Sequence, residues 1–142
     1  MKFMAVTGLD KLLKEMSPKV IEGKYFLGCV PEAEIMVVAN YLDYITCIYR
    51  EEEGLTVLFS DEVKEEIGSV SSKKIAGPFA LITLEVNSDL FVVGFLAKIT
   101  HALAKEKISV NVFSAYFHDH LLVPYEKEEE AMAALEKLSA KQ

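Results

Sequence analysis

An internal repeat limits how this chain can fold more than any other feature of its sequence. Gly23-Lys24-Tyr25-Phe26-Leu27 parallels Gly77-Pro78-Phe79-Ala80-Leu81, and each opens an apolar run of strand length. Downstream, Tyr49, a turn, Leu55 to Phe59 and an acidic helical segment parallel Tyr116, a turn, Leu121 to Pro124 and a second acidic helical segment. Both halves therefore run strand, crossover, strand, hairpin, strand, helix. A repeated supersecondary unit constrains the architecture more than its separate elements do. This order is the split βαβ of a ferredoxin-like layer, an antiparallel sheet with helices packed on one face. The expected class is α+β, with two ferredoxin-like βαββαβ-type modules over 1–70 and 71–142.

Local chemistry supplies the element boundaries. Thr7 and Asp10 have capping-box spacing, and Leu9, Leu12, Leu13 and Met16 recur at helical intervals until Ser17-Pro18 stops the helix. Residues 24–30 read as a strand ended by Pro31. The crossover over 31–44 just exceeds the dozen or so residues a parallel connection needs, so its helix should be truncated or lost. Strands follow at 44–50 and 55–59, and Ser60 is placed to cap a helix over 61–67. Gly68 to Lys74, rich in Ser and Lys, has the composition of a linker. In the second half a strand over Phe79–Val86 leads to a helix over Leu90–Lys107. One stripe of that helix carries Val92, Phe95, Leu96, Ile99 and Leu103, opposite Lys98, His101 and Lys105. Residues 108–117 and 120–124 form a hairpin around His118-Asp119. A final helix over Glu126–Leu138 turns Leu135 and Leu138 inward.

Composition narrows the function. A chain of 142 residues buries roughly 70% of its unfolded surface, enough for one domain or two small modules sharing a core. No apolar stretch approaches the ~20 residues of a membrane-spanning helix, and Met1 to Leu13 lacks a signal-peptide pattern, so a cytoplasmic protein with no membrane partner is expected. Cys29 and Cys47 fit neither a zinc site nor a disulfide framework and should be buried, reduced thiols. Net charge is −7, and Arg50, the sole arginine, is followed by Glu51 and Glu52. A nucleic acid partner, which needs clustered cations, is therefore not expected. No catalytic constellation is evident: Gly94 stands alone without a phosphate-binding glycine loop, and the glutamates at 51–53 and 128–130 suit a solvated face. We expect no enzyme activity and no cofactor.

The second half resembles the ACT domain family. The resemblance is carried by Gly77-Pro78-Phe79, Ile82-Thr83-Leu84-Glu85-Val86, Ser88, Leu90 and Val93-Gly94. Ile108-Ser109-Val110-Asn111-Val112, Tyr116-Phe117-His118-Asp119-His120 and Val123-Pro124 complete it. The first half is similar more loosely, through Gly23, Pro31 and Glu53-Gly54-Leu55. Such resemblance implies a small protein of two tandem ACT-like modules, regulatory rather than catalytic. It also implies an amino-acid ligand bound where modules pair, at the loop between a first strand and first helix.

In this chain that loop is Val86 to Leu90. The resemblance assigns the ligand position to Asn87, Ser88, Asp89, Leu90, Gly94 and Asn111. The chemistry suits a zwitterion: unpaired N–H groups at a helix start attract a carboxylate, and an Asp can take an ammonium group. The same Asn, Ser and Asp equally suit plain helix capping. Bulky Phe91, Phe95 and Leu96 can either wall an apolar pocket or seal an interface, and Phe113 and Tyr116 would extend such a seam. The alternative to a sensor is thus a dimerisation or protein-interaction module without a small ligand; a homo-oligomer is expected under both. His118 and His120 are weak metal candidates, because no third ligand is evident. A polar turn in which Asp119 bonds its own backbone is the simpler account.

Overall fold

The computed structural model describes residues 8–142. Its elements run α1 (Leu9–Glu15), β1 (Pro18–Val30), α2 (Ile35–Asn40), β2 (Ile45–Glu51), β3 (Gly54–Ser60) and α3 (Lys64–Val70). They continue with β4 (Ala76–Leu84), α4 (Phe95–Lys105), β5 (Asn111–Ser114), β6 (Asp119–Pro124) and α5 (Glu128–Ala140). Two compact units result: Gly23–Phe79, and the described residues up to Glu22 together with Ala80–Gln142. Strands β1 and β4 each contribute to both. These units and the sequence halves 1–70 and 71–142 are different divisions of the chain.

Within Gly23–Phe79 the order is a complete βαββαβ, with strands arranged β2-β3-β1-β4. Antiparallel registers place Phe26 opposite Phe59 and Val30 opposite Leu55, and Glu51 opposite Gly54. Leu55, Val57 and Phe59 share a face because strand side chains alternate. Together with Phe26, Val30, Val38, Val63 and Ile67 they form this unit's core. The Phe26 and Phe59 rings stack with centroids 6.1 Å apart, within the favourable range for an aromatic pair. The crossover helix is truncated as expected, α2 being 6 residues long. Ser60 caps as expected, its hydroxyl accepting from the Glu62 N–H at 3.3 Å.

The segment Gly68 to Lys74 is not the linker its composition suggested. Gly68 to Val70 complete α3, while the Ser71 hydroxyl accepts from the Cys29 N–H at 3.1 Å. The Ser72 N–H donates to the Cys29 carbonyl at 2.7 Å. The serines thus satisfy backbone groups at the end of β1, which composition alone cannot reveal. Cys29 and Cys47 are free but half-buried, against the expectation of full burial. Both sit on strands whose neighbours leave them partly open.

In the other unit the strand order is β1-β4-β6-β5. Ala80, Ile82, Leu84, Leu121 and Val123 form one apolar row. Phe95, Ile99 and Leu103 of α4, Ala131 and Leu135 of α5, and Leu12, Leu13 and Met16 cover that row. An isolated helix as short as α1, 7 residues, is unstable in water. Burial of Leu12, Leu13 and Met16 holds it, each such side chain contributing about 1.5–3 kcal/mol. Gly8, with φ +90°, occupies its N-cap position with no side-chain cap. The expected Thr7 cap lies outside the described residues.

Several boundaries differ from expectation; β1 begins at Pro18 rather than Lys24. Strand β4 ends at Leu84 rather than Val86, and β5 begins at Asn111 rather than 108. Helix α4 begins at Phe95 rather than Leu90. Gly94 adopts φ +94°, a left-handed conformation that no helix can propagate through, and this delays the start.

Gly77 is the glycine this packing can least replace. A Cβ there would sit 2.7 Å from the Phe26 ring and 2.8 Å from the Tyr25 carbonyl oxygen, at φ +137°. Gly77→Ala should therefore destabilise the protein by more than about 1 kcal/mol, read as a lower urea midpoint at unchanged m-value. An unchanged midpoint would refute this account of the contact.

Candidate functional site

The connection from β4 to α4 (residues 85–94) is irregular and closes its own turn. The Asp89 carboxylate accepts from the Phe91 N–H at 3.0 Å, and the Val92 N–H donates to the Asp89 carbonyl at 3.2 Å. Asn87, Ser88 and Asp89 therefore do not cap α4. The helix opens instead at Gly94, whose carbonyl accepts from the Lys98 N–H at 3.1 Å, and no side chain caps it. Its first N–H groups have no intrahelical partner and carry the positive end of the helix dipole.

Facing this loop is the β5–β6 hairpin, in which Ser114 pairs with Asp119. Asp119 lies on the same side of β6 as the core residues Leu121 and Val123, and it is only 8% exposed. The Ser114 hydroxyl donates to Asp119 Oδ1 at 2.6 Å, and the buried Ser88 hydroxyl donates to Oδ2 at 3.3 Å. Asp119 is thus the first residue of a strand, held by hydroxyls, and not a turn residue bonded to its own backbone.

A cleft of about 170 Å³ lies between these segments. Ser88, Asp89, Leu90 and Gly94 line it, so four of the six residues expected at the ligand position come together. Asn87 and Asn111 are not among its lining; Asn111 is exposed on β5 opposite Leu122. Ser114 and Asp119 take the polar places the sequence reading missed. The signal was present in the alternation of Asp119 with Leu121 and Val123, which turns the carboxylate toward the helices. Val92, Phe95, Leu96, Ala97 and Ala115 supply apolar wall. Two carboxylates, and no Lys, Arg or His among the described lining residues, give the cleft an acidic character.

Comparison with known proteins meets this geometry at both halves. An ACT domain model matches residues 4–69 and another matches 78–137. The chain belongs to the ACT domain family. A Vibrio cholerae protein of unknown function, described as a possible transport protein, is 35% identical. The match covers 92% of this chain and 95% of that one at a TM-score of 0.76. The ligand-free regulatory subunit of aspartate kinase from Thermus thermophilus shares the fold at 12% identity and a TM-score of 0.67, covering 88% and 98% of the two chains. That of Thermus flavus does so at 10% identity and 0.64, covering 85% and 95%. Among curated proteins, none matches. The tandem ACT organisation and the ferredoxin-like α+β class are thus as the sequence led us to expect.

In this ACT chain the two histidine candidates part company with Asp119. His118 lies in the turn, where its carbonyl accepts from the Ala115 N–H at 3.0 Å. His120 sits on β6, one residue out of phase with Asp119, with its ring centroid 6.4 Å from that of His118. No group of three or more His, Cys, Asp or Glu side chains among the described residues is placed to hold a metal ion. The imidazole of His120 instead shares a hydrogen bond of 2.9 Å between Nδ1 and the Thr83 hydroxyl. Burial, then the neighbouring His118, lower the His120 pKa below 6.5, with Asp119 opposing.

A lowered histidine pKa means the unfolded chain takes up a proton first as the pH falls. This group's contribution is therefore intact above 6.5 and is lost on acidification below it. The stability advantage of wild type over His120→Asn should shrink as the pH is lowered from 7 through that window, measured by urea unfolding at each pH. A constant difference would show that His120 titrates normally.

Proposed function

We propose that this protein is a non-catalytic sensor that binds a small amino acid in the cleft between the 88–97 segment and the Ser114–Asp119 hairpin end. Family membership and likeness to regulatory subunits of aspartate kinase support a regulatory, ligand-sensing role. The observation that carries the finer reading is the buried Asp119 carboxylate, fixed by two serine hydroxyls at the cleft. A buried carboxylate is costly unless a cation or several donors compensate it, and an α-ammonium group supplies both charge and donors. The uncapped first turn of α4 then receives the α-carboxylate. Apolar walls accept a hydrophobic side chain, whereas Asp89 and Asp119 repel an acidic one. Asn87 and Asn111 belong to the site only as outlying positions in this reading.

A second reading draws on the cleft's surroundings. Phe91, Val93 and Tyr116 are 88%, 86% and 75% exposed on the segments beside it. Exposed apolar groups of this size suit a protein interface, so homo-oligomerisation accompanies sensing or replaces it. Phe95, expected in such a seam, is buried in the core and takes no part.

A thermal-shift screen against the twenty standard amino acids separates the two. Saturation at ~100 times Kd should stabilise the folded state by ~2.7 kcal/mol for one or two hydrophobic amino acids, with no shift for aspartate or glutamate. Asp119→Asn should weaken that binding about tenfold or more while folding cooperatively, because one charge-assisted contact is lost. A flat panel would leave the interaction module as the better reading. Gly94 substitutions discriminate poorly here, since φ +94° penalises folding itself.

A further inference from the structure

The two ACT units are built on one pattern, yet their corresponding positions are not chemically equivalent. We infer that only the unit carrying β4, α4, β5 and β6 takes a ligand, so that the chain binds one amino acid per copy. This rests on the reading of the Asp119 cleft as the amino-acid site.

Register identifies the counterparts. Along the inward rows Leu55, Val57 and Phe59 stand where Asp119, Leu121 and Val123 do, so the pair of Ser114 with Asp119 in one hairpin corresponds to that of Arg50 with Leu55 in the other. The position of the buried carboxylate is therefore occupied by Leu55, an apolar side chain only 4% exposed in that unit's core. Gly54 beside it offers no room for a polar side chain either: a Cβ there would lie 2.9 Å from the Val30 carbonyl oxygen and 3.2 Å from the Cys29 sulfur. Glu51, the last residue of β2, accepts a hydroxyl hydrogen bond from Thr56 at 2.7 Å. It turns along its own hairpin rather than toward a ligand.

The loop is missing as well. Residues 85–94 separate β4 from α4 and wall the cleft from Ser88 to Gly94. In the Gly23–Phe79 unit Pro31 alone separates β1 from a 3-10 turn that begins at Glu32. That turn leads directly into α2, a helix of 6 residues. Beside it, the Arg50 guanidinium pairs with the Glu32 carboxylate and joins the end of β2 to the start of the crossover. The pair is exposed and adds little stability. It nevertheless sets the protein's own cation and anion against the short connection, where a zwitterion would otherwise bring them.

Isothermal titration of the full chain with each of the twenty standard L-amino acids, one at a time, tests this. Wild type should bind at a stoichiometry of one per chain. Asp119→Asn should lose at least tenfold in affinity, and the milder Ser114→Ala severalfold at unchanged stoichiometry, circular dichroism confirming that each variant folds. Arg50→Ala should still bind one ligand with wild-type affinity, because Leu55 and the missing loop remain. Two ligands per wild-type chain, one of them surviving in Asp119→Asn, would overturn the inference and leave the proposed sensing role standing. A second ligand gained by Arg50→Ala would overturn the inference in the same way. A single site untouched by both Asp119→Asn and Ser114→Ala, or no binding by any of the amino acids, would overturn the cleft reading and the inference together.

Discussion

Side chains alternate across a strand, so each strand can turn only one row of residues toward the helices that cover its sheet. In the unit of Ala80–Gln142 that row is Ala80, Ile82 and Leu84 on β4, and Leu121 and Val123 on β6. Helix α4 answers it with Phe95, Ile99 and Leu103, and α5 with Ala131 and Leu135. Every later feature of the unit depends on this arrangement. It decides which side chains of the hairpin face inward and where the first turn of α4 comes to rest. It also gives the short helix α1 a surface to bury Leu12 and Leu13 against.

Asp119 is the polar member of that row. Its phase along β6 turns it to the covered side, where a carboxylate left alone would be expensive. The hydroxyls of Ser88 and Ser114 reach its two oxygens and offset part of that cost. The cleft exists because α4 starts late. Gly94 takes a backbone conformation that a helix cannot include, so the chain between Leu84 and Phe95 spreads into a loop instead of extending the helix over the hairpin end. One glycine and one inward carboxylate thus convert a packed sheet end into a polar recess with apolar walls.

The Gly23–Phe79 unit obeys the same alternation with a different outcome. Its row of Leu55, Val57 and Phe59 is covered by Val38, Val63 and Ile67, and the stacked pair of Phe26 and Phe59 fills the middle. Gly54 at the hairpin end packs against the β1 carbonyl of Val30, and only Pro31 parts β1 from the crossover. Shortening the connection shortens the helix and removes the recess in one step. A repeat therefore conserves the layer architecture easily, since that depends on periodicity, while the site depends on a handful of positions that periodicity leaves free.

The sequence by itself determined the α+β class, the tandem arrangement and the family, because these follow from hydrophobic period and from motifs spread along the chain. It determined the truncated crossover through residue count, and the Ser60 cap through local chemistry. It brought Ser88, Asp89, Leu90 and Gly94 to notice as neighbours along the chain. Tertiary structure decided what they face. The partners Ser114 and Asp119 are supplied by a hairpin well over twenty residues further on, and only cross-strand register brings them to the loop. The roles of Ser71 and Ser72, which bond Cys29 across more than forty residues, were hidden for the same reason. Local pattern fixes which way a side chain points along its own element; which groups it meets depends on how distant elements pack.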